Sequence, residues 1–177
     1  MRPTTDNRLK HIRLVLTDVD GVLTDGRIAK LPHGDELKFF SIYDGLGIRL
    51  AQRCGIEVGF LSGRKSRQVT ARATELGVNV VIQGAADKVQ AFESLCQDKG
   101  LSFEQVAYVG DDLPDIRLLR KVGFSAAPVN AVSAVKECVD YVTSTKGGRG
   151  ALREIIELIL RAQGKWDQVL VDYGACL

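Results

Sequence analysis

The chain has 177 residues, with 24 Lys plus Arg against 22 Asp plus Glu, a net charge of +2. That length fits one domain over residues 1–177, and 45% hydrophobic with 26% charged residues is too apolar for a disordered chain. The near-neutral balance argues against a protein that coats nucleic acid or an anionic membrane, and no stretch approaches the ~20 apolar residues of a membrane helix.

Charges at Asp6, Arg8, Lys10 and Arg13 interrupt any signal-like apolar run at the start, so a soluble cytoplasmic domain is expected. The first apolar run, residues 12–16, reads as a strand. Residues 22–31 and 36–42 then look like two strands joined by the turn-forming cluster Pro32-His33-Gly34-Asp35. An isolated hairpin is marginal in water, so Ile28, Leu31, Leu37, Phe39, Phe40 and Ile42 need a surface to pack on. A flap folded on its own domain and an interface with a second chain both satisfy that need.

Further on, residues 56–61, 78–82 and 106–109 are short Val/Ile/Leu-rich runs bounded by Gly or Asp, the pattern of strands buried on both faces. Between and after them, residues 64–76, 87–99, 112–122 and 149–161 carry apolar side chains at helical spacing. The uncharged stretch 122–135 is broken by Ser125, Pro128, Asn130 and Ser133. Alternating β and α predicts a doubly wound parallel α/β sheet with one projecting hairpin, and a C-terminal helix and tail over 149–177. Cys54, Cys96, Cys138 and Cys176 are 42, 42 and 38 residues apart, which excludes close ligand pairs and reads as free buried thiols rather than disulfides.

In such sheets ligands bind beyond the carboxyl ends of the strands. There the chain places Asp18 and Asp20 after the first strand, and Ser62-Gly63-Arg64 after the second. Lys88 follows the third, and Asp111-Asp112 follows the fourth, with Asp115 one turn on. Singly, each has a plain explanation as a turn, a helix cap or a solvated lysine. Jointly they make a cluster of carboxylates that needs a hard cation, beside a hydroxyl and a lysine suited to a phosphoryl group.

Asp18-Val19-Asp20-Gly21-Val22-Leu23-Thr24 resembles the first motif of the haloacid dehalogenase superfamily of phosphotransferases, and Ser62, Lys88 and Gly110-Asp111-Asp112 match its later motifs in order. Within that superfamily the chain is similar to the capless 3-deoxy-D-manno-octulosonate 8-phosphate (KDO 8-phosphate) phosphatases, through Tyr43-Asp44-Gly45-Leu46-Gly47-Ile48, Ser62-Gly63-Arg64-Lys65, Tyr108 to Asp112, Gly147-Gly148-Arg149-Gly150-Ala151 and Ala162-Gln163-Gly164-Lys165. The similarity runs from about Ile12 to Trp166. Spacing agrees, since Asp20 and Ser62 are 42 residues apart and Ser62 and Lys88 are 26 apart, too little for an inserted cap domain.

The resemblance implies a Rossmann-like fold, a Mg²⁺ cofactor and a homotetramer whose subunits close one another's sites, which favours the interface reading of the hairpin. It implies Asp18 as nucleophile and Asp20 as acid and base, with Mg²⁺ held by Asp18, the Asp20 carbonyl and Asp111. Asp112 and Asp115 support the metal water and Lys88, and Ser62, Gly63 and Lys88 hold phosphate. An acidic sugar phosphate then needs a cation for its carboxylate, for which Arg64 and Arg149 are the candidates; a solvated linker is the plain alternative for Arg149. A related nonulosonate 9-phosphate substrate, a non-catalytic assembly domain and a phospho-accepting receiver are the competing functions. In a receiver the lysine comes last, whereas here Lys88 precedes Asp111-Asp112.

Overall fold

The computed structural model describes residues 7–32 and 35–175. After a short helical turn at Asn7–His11, β1 (Leu14–Thr17) is buried at all four positions. Two minimal antiparallel strands follow, β2 (Ala29–Lys30) and β3 (Glu36–Leu37), and then α1 (Ile42–Arg53). The remaining elements alternate: β4 (Glu57–Ser62), α2 (Arg67–Leu76), β5 (Val80–Gln83), α3 (Lys88–Lys99), β6 (Val106–Val109), α4 (Ile116–Leu119), β7 (Phe124–Ala127), α5 (Ser133–Lys136) and β8 (Tyr141–Val142). Helices α6 (Ala151–Ala162) and α7 (Trp166–Asp172) complete the described chain.

Six strands form one parallel sheet in the order β5-β4-β1-β6-β7-β8. Alternate side chains of each central strand enter opposite cores. Val15, Val58, Phe60, Ala107 and Val109 face a core shared with α1, α2, α6 and α7, while Leu14, Leu16, Leu61, Val106 and Tyr108 face one shared with α3, α4 and α5. The chain runs from β1 outward to β5 and then returns to β6 on the other side of β1. That reversal opens a crevice at the carboxyl ends of β1 and β6.

The hairpin differs from its expected form. Residues 22–24 are not strand: the N–H groups of Leu23 and Thr24 bond Val19 O at 3.0 and 3.1 Å, and the Thr24 hydroxyl accepts from Gly21 and Gly26 N. Val22 and Leu23 are apolar because this turn is buried, not because they are paired. At the other end Ser41 caps α1, its Oγ accepting from Tyr43 N at 3.2 Å, so Ile42 begins a helix. Only two residues of each arm pair, and His33 and Gly34 of the expected turn lie outside the described residues.

Other expected boundaries shift for local reasons. The helix expected from residue 64 starts at Arg67 after a bend, which leaves Arg64 outside it. The helix expected over 112–122 divides into a tight turn at Leu113–Asp115 and α4. The C-terminal region holds two helices, and Arg149 precedes the first because Gly150 takes a left-handed φ of 103°. Strands β7 and β8 carry no long apolar run, and their Phe-Ser-Ala-Ala and Tyr-Val sequences give no strand signal alone. Cys54, Cys96 and Cys138 are free thiols, but only Cys96 is buried while Cys54 and Cys138 are half-buried, and Cys176 lies outside the described residues. Among the described residues, no helix is long and apolar enough to cross a membrane.

Candidate active site

Asp18 follows β1 directly and stays in its ladder, donating its N–H to Val109 O at 2.8 Å. This pins a buried carboxylate at the crevice. Lys88, the first residue of α3, reaches it from the neighbouring strand end. Its ammonium bonds Asp18 Oδ1 at 2.7 Å, Asp115 Oδ1 at 2.6 Å and the Tyr108 hydroxyl at 3.2 Å, which uses all three N–H donors. Tyr108 in turn donates to Asp115 Oδ1 at 2.6 Å. Burial disfavours the charge on Lys88, but Asp18 and Asp115 outweigh it and hold its pKa above the usual lysine value.

Asp115 is fully engaged. Its second oxygen accepts from Asp111 N at 3.0 Å and Asp112 N at 3.3 Å, so the tight turn after β6 folds back on itself. Asp18, Asp111 and Asp115 each offer an oxygen within 4.8 Å of the others. Since Asp115 spends both oxygens on hydrogen bonds, Asp18 and Asp111 are the ones left to bind a cation. Asp111 Oδ1 is buried with no hydrogen-bond partner. Burial, then the Asp18 and Asp115 charges, raise the Asp111 pKa to about 8; burial, opposed by Lys88 and aided by Asp115, raises Asp18 to about 6. Crowded, desolvated, oxygen-only donors fit a hard divalent ion such as Mg²⁺. Gly21 makes the crowding possible: a Cβ there would lie 2.0 Å from Asp111 Oδ2, and its φ is +104°.

The hairpin supplies a second group of charges. Lys38 Nζ contacts Asp20 Oδ1 and lies 3.7 Å from Glu36 Oε2. Glu36 Oε1 accepts from Lys30 at 2.7 Å and from an Arg64 terminal nitrogen at 2.5 Å, and Arg64 Nε is 3.7 Å from Asp20 Oδ2. Asp20 and Arg64 thus face each other directly and share Glu36 and Lys38, residues that no motif pointed to.

Other expected site residues sit as follows. Ser62 is buried at the end of β4, its Oγ accepting from Arg64 N at 3.2 Å. Gly63 is exposed beside it. The Asp112 carboxylate caps Leu113 N at 2.7 Å and is not part of the three-carboxylate group. Arg149 stands apart from that group, exposed on a groove of about 560 Å³ with Asp25, Phe39, Phe40, Ile42 and Tyr43. The backbone around it is fixed: Gly148 N bonds Val22 O at 2.8 Å, and buried Asp44 accepts from Gly150 N at 3.2 Å and Arg153 N at 2.9 Å.

Sequence reasoning missed Lys38, Glu36, Tyr108 and the bracing role of Asp44. No sequence pattern marked the two hairpin charges. In Glu36-Leu37-Lys38-Phe39 the charged residues are buried and the apolar ones exposed, the reverse of an ordinary strand.

A haloacid dehalogenase-like hydrolase family model matches residues 74–155. The 3-deoxy-D-manno-octulosonate 8-phosphate phosphatase KdsC of Escherichia coli (strain K12) is 45% identical over 161 residues, covering 91% of this chain and 86% of that protein. The chain belongs to this phosphatase family. Solved structures agree. The KDO 8-phosphate phosphatase of Moraxella catarrhalis, in complex with magnesium, phosphate and KDO, superposes with a TM-score of 0.92 at 40% identity, over 94% of this chain and 96% of that one. The cobalt-bound enzyme of Haemophilus influenzae gives 0.87 at 42% identity, over 90% and 93%. The fold and the order of motifs therefore belong to a KDO 8-phosphate phosphatase of the haloacid dehalogenase type.

Proposed function

We propose that this chain, acting as one catalytic domain in the cytoplasm, hydrolyses KDO 8-phosphate to the free sugar acid and phosphate. The observation that carries this reading is the Asp18 carboxylate, with one oxygen on the Lys88 ammonium and the unpartnered Asp111 oxygen close by. An Asp18 oxygen attacks phosphorus, forming an aspartyl-phosphate as the bond to the sugar oxygen breaks. Asp20 gives that oxygen a proton, then removes one from the water that attacks the intermediate and releases phosphate. Ser62 and Lys88, which gives up its bond to Asp18 as phosphate enters, hold phosphoryl oxygens, with the Gly63 backbone beside them, and Asp115 and Tyr108 fix Lys88. Asp18, the Asp20 carbonyl and Asp111 would hold Mg²⁺, with Asp112 nearby. The ion would offset charge among the carboxylates and a phosphate monoester that carries about −1.5 to −2.

The working form we propose is a homotetramer. Phe39, Ile42 and Tyr43 are 70%, 76% and 64% exposed on one face, with Leu31 and Leu37 nearby. A second copy covering that face would receive Arg149, which lines the same groove, while Arg64 stays with its own site. Mass by light scattering and phosphate release from KDO 8-phosphate, with Mg²⁺ and with EDTA, test the reading together. The expected result is a tetramer active only with the metal. A monomer of 19.3 kDa, or full activity in EDTA, would overturn the corresponding part.

A further inference from the structure

Lys38 lies on the hairpin, outside every motif at the strand ends, yet its side chain has no exposed surface and its nitrogen contacts Asp20 Oδ1. A lysine is seldom fully buried without a partner that requires it. Glu36 backs it at 3.7 Å and is itself held by Lys30 and Arg64, so the ammonium is fixed between two carboxylates. Among the described residues, Lys38 gives the Asp20 carboxylate its one hydrogen bond. The other oxygen, Oδ2, is buried with no hydrogen-bond partner, and Arg64 Nε stands 3.7 Å away.

We propose that Lys38 is a positioning residue for Asp20. By occupying Oδ1 it fixes the carboxylate's rotation and leaves Oδ2 as the oxygen that carries the exchanged proton. The ammonium's charge makes the oxygen it binds the less basic of the two, so the proton exchanged with the leaving group goes to the other. The hairpin then orients the acid. This rests on Asp20 being the acid in the reading above, and the leaving group separates the two claims. A sugar alkoxide must be protonated as it departs, whereas p-nitrophenolate leaves without help. In both cases kcat/KM reports the steps through phosphoryl transfer.

The test compares Lys38→Met, Lys38→Arg and Asp20→Asn with the native Mg²⁺-loaded enzyme on KDO 8-phosphate and on p-nitrophenyl phosphate. Lys38→Met is expected to lower kcat/KM for the sugar phosphate by roughly 10²-fold, at least about tenfold more than for the aryl ester, with the loss in kcat rather than KM. Lys38→Arg should recover part of it, and Asp20→Asn should show the same split more strongly. Equal losses on both substrates would overturn the proposal in favour of phosphate binding, as would a loss confined to KM in favour of sugar binding, or no loss at all. If Asp20→Asn shows no split, the acid assignment itself fails, whatever Lys38 does. Should Lys38→Met not fold, Lys38→Gln carries the same expectation.

Discussion

The strand ends and the hairpin both deliver buried charge to one edge of the sheet, but they hold it by different means. Asp18, Lys88 and Asp115 sit within one residue of β1, at the start of α3 and in the turn after β6. Their positions follow from sheet register and from bonds such as Asp18 N to Val109 O. Glu36 and Lys38 instead hang on a two-residue strand pair, and ion pairs with Asp20, Arg64 and Lys30 secure them. The first region keeps its arrangement through backbone structure. The second keeps it through the charges themselves and through whatever covers its exposed Leu37 and Phe39.

The largest effect should come from the strand ends. Asp18→Asn keeps the shape and can still accept from Lys88, but it removes the nucleophile. Phosphate release should fall on the order of 10⁴-fold or more. The metal-free protein should melt no lower than the native one, because one of the crowded carboxylates is gone. Activity within tenfold of native would mean that Asp18 is not the attacking group, and a lower melting temperature would mean that crowding does not cost stability there.

The hairpin should respond in the opposite way, losing assembly before fold. Phe39→Asp combined with Ile42→Asp places charge on an outward face. For such exposed sites the monomer's stability should change by less than about 1 kcal/mol. Light scattering should then report a mass near that of one chain. A tetramer that survives both substitutions would show that another surface holds the subunits together.

The same contrast explains what could be read in the sequence. The strands 12–16, 56–61 and 106–109 were legible because both faces are buried, so composition alone marks them, while 78–82 keeps an apolar run although it is the half-buried edge strand. Asp18, Lys88, Asp111 and Asp115 came with them, since a strand end fixes where the next residues point. Strands β7 and β8 were not legible: Ser125 and two alanines fill a crowded place beside β6, and Tyr141 and Val142 are too few to form a pattern. Lys38 was hidden for another reason. Its burial depends on Asp20, eighteen residues earlier, and no local periodicity encodes an ion pair across a turn. Arg149 matched a motif, but only its backbone setting is fixed within one chain, by Asp44 and the Val22 carbonyl.

The smallest effect concerns protons and metal, and it belongs to the strand ends alone. Asp18 and Asp111 have pKa values near 6 and 8 in the folded chain, against an ordinary carboxyl value of 3.8. For acids raised by folding, the protonated form is favoured by the native state. Their contribution is therefore fully present below about 4 and is lost as pH rises through about 6 and then about 8. The metal-free protein should lose melting temperature across that window. Magnesium competes with protons for the same oxygens, so its stabilisation should grow over the same range. The rise in melting temperature on adding Mg²⁺ should be a few degrees larger near pH 8 than near pH 5.5. Asp111→Asn should flatten the upper part of that difference, and the Phe39 and Ile42 substitutions should leave it in place. Equal shifts at both pH values would mean that the ion does not displace protons from these two carboxylates. A flattened response in the hairpin variants would mean that the two regions are coupled through Asp20, and their separation as independent devices would fall.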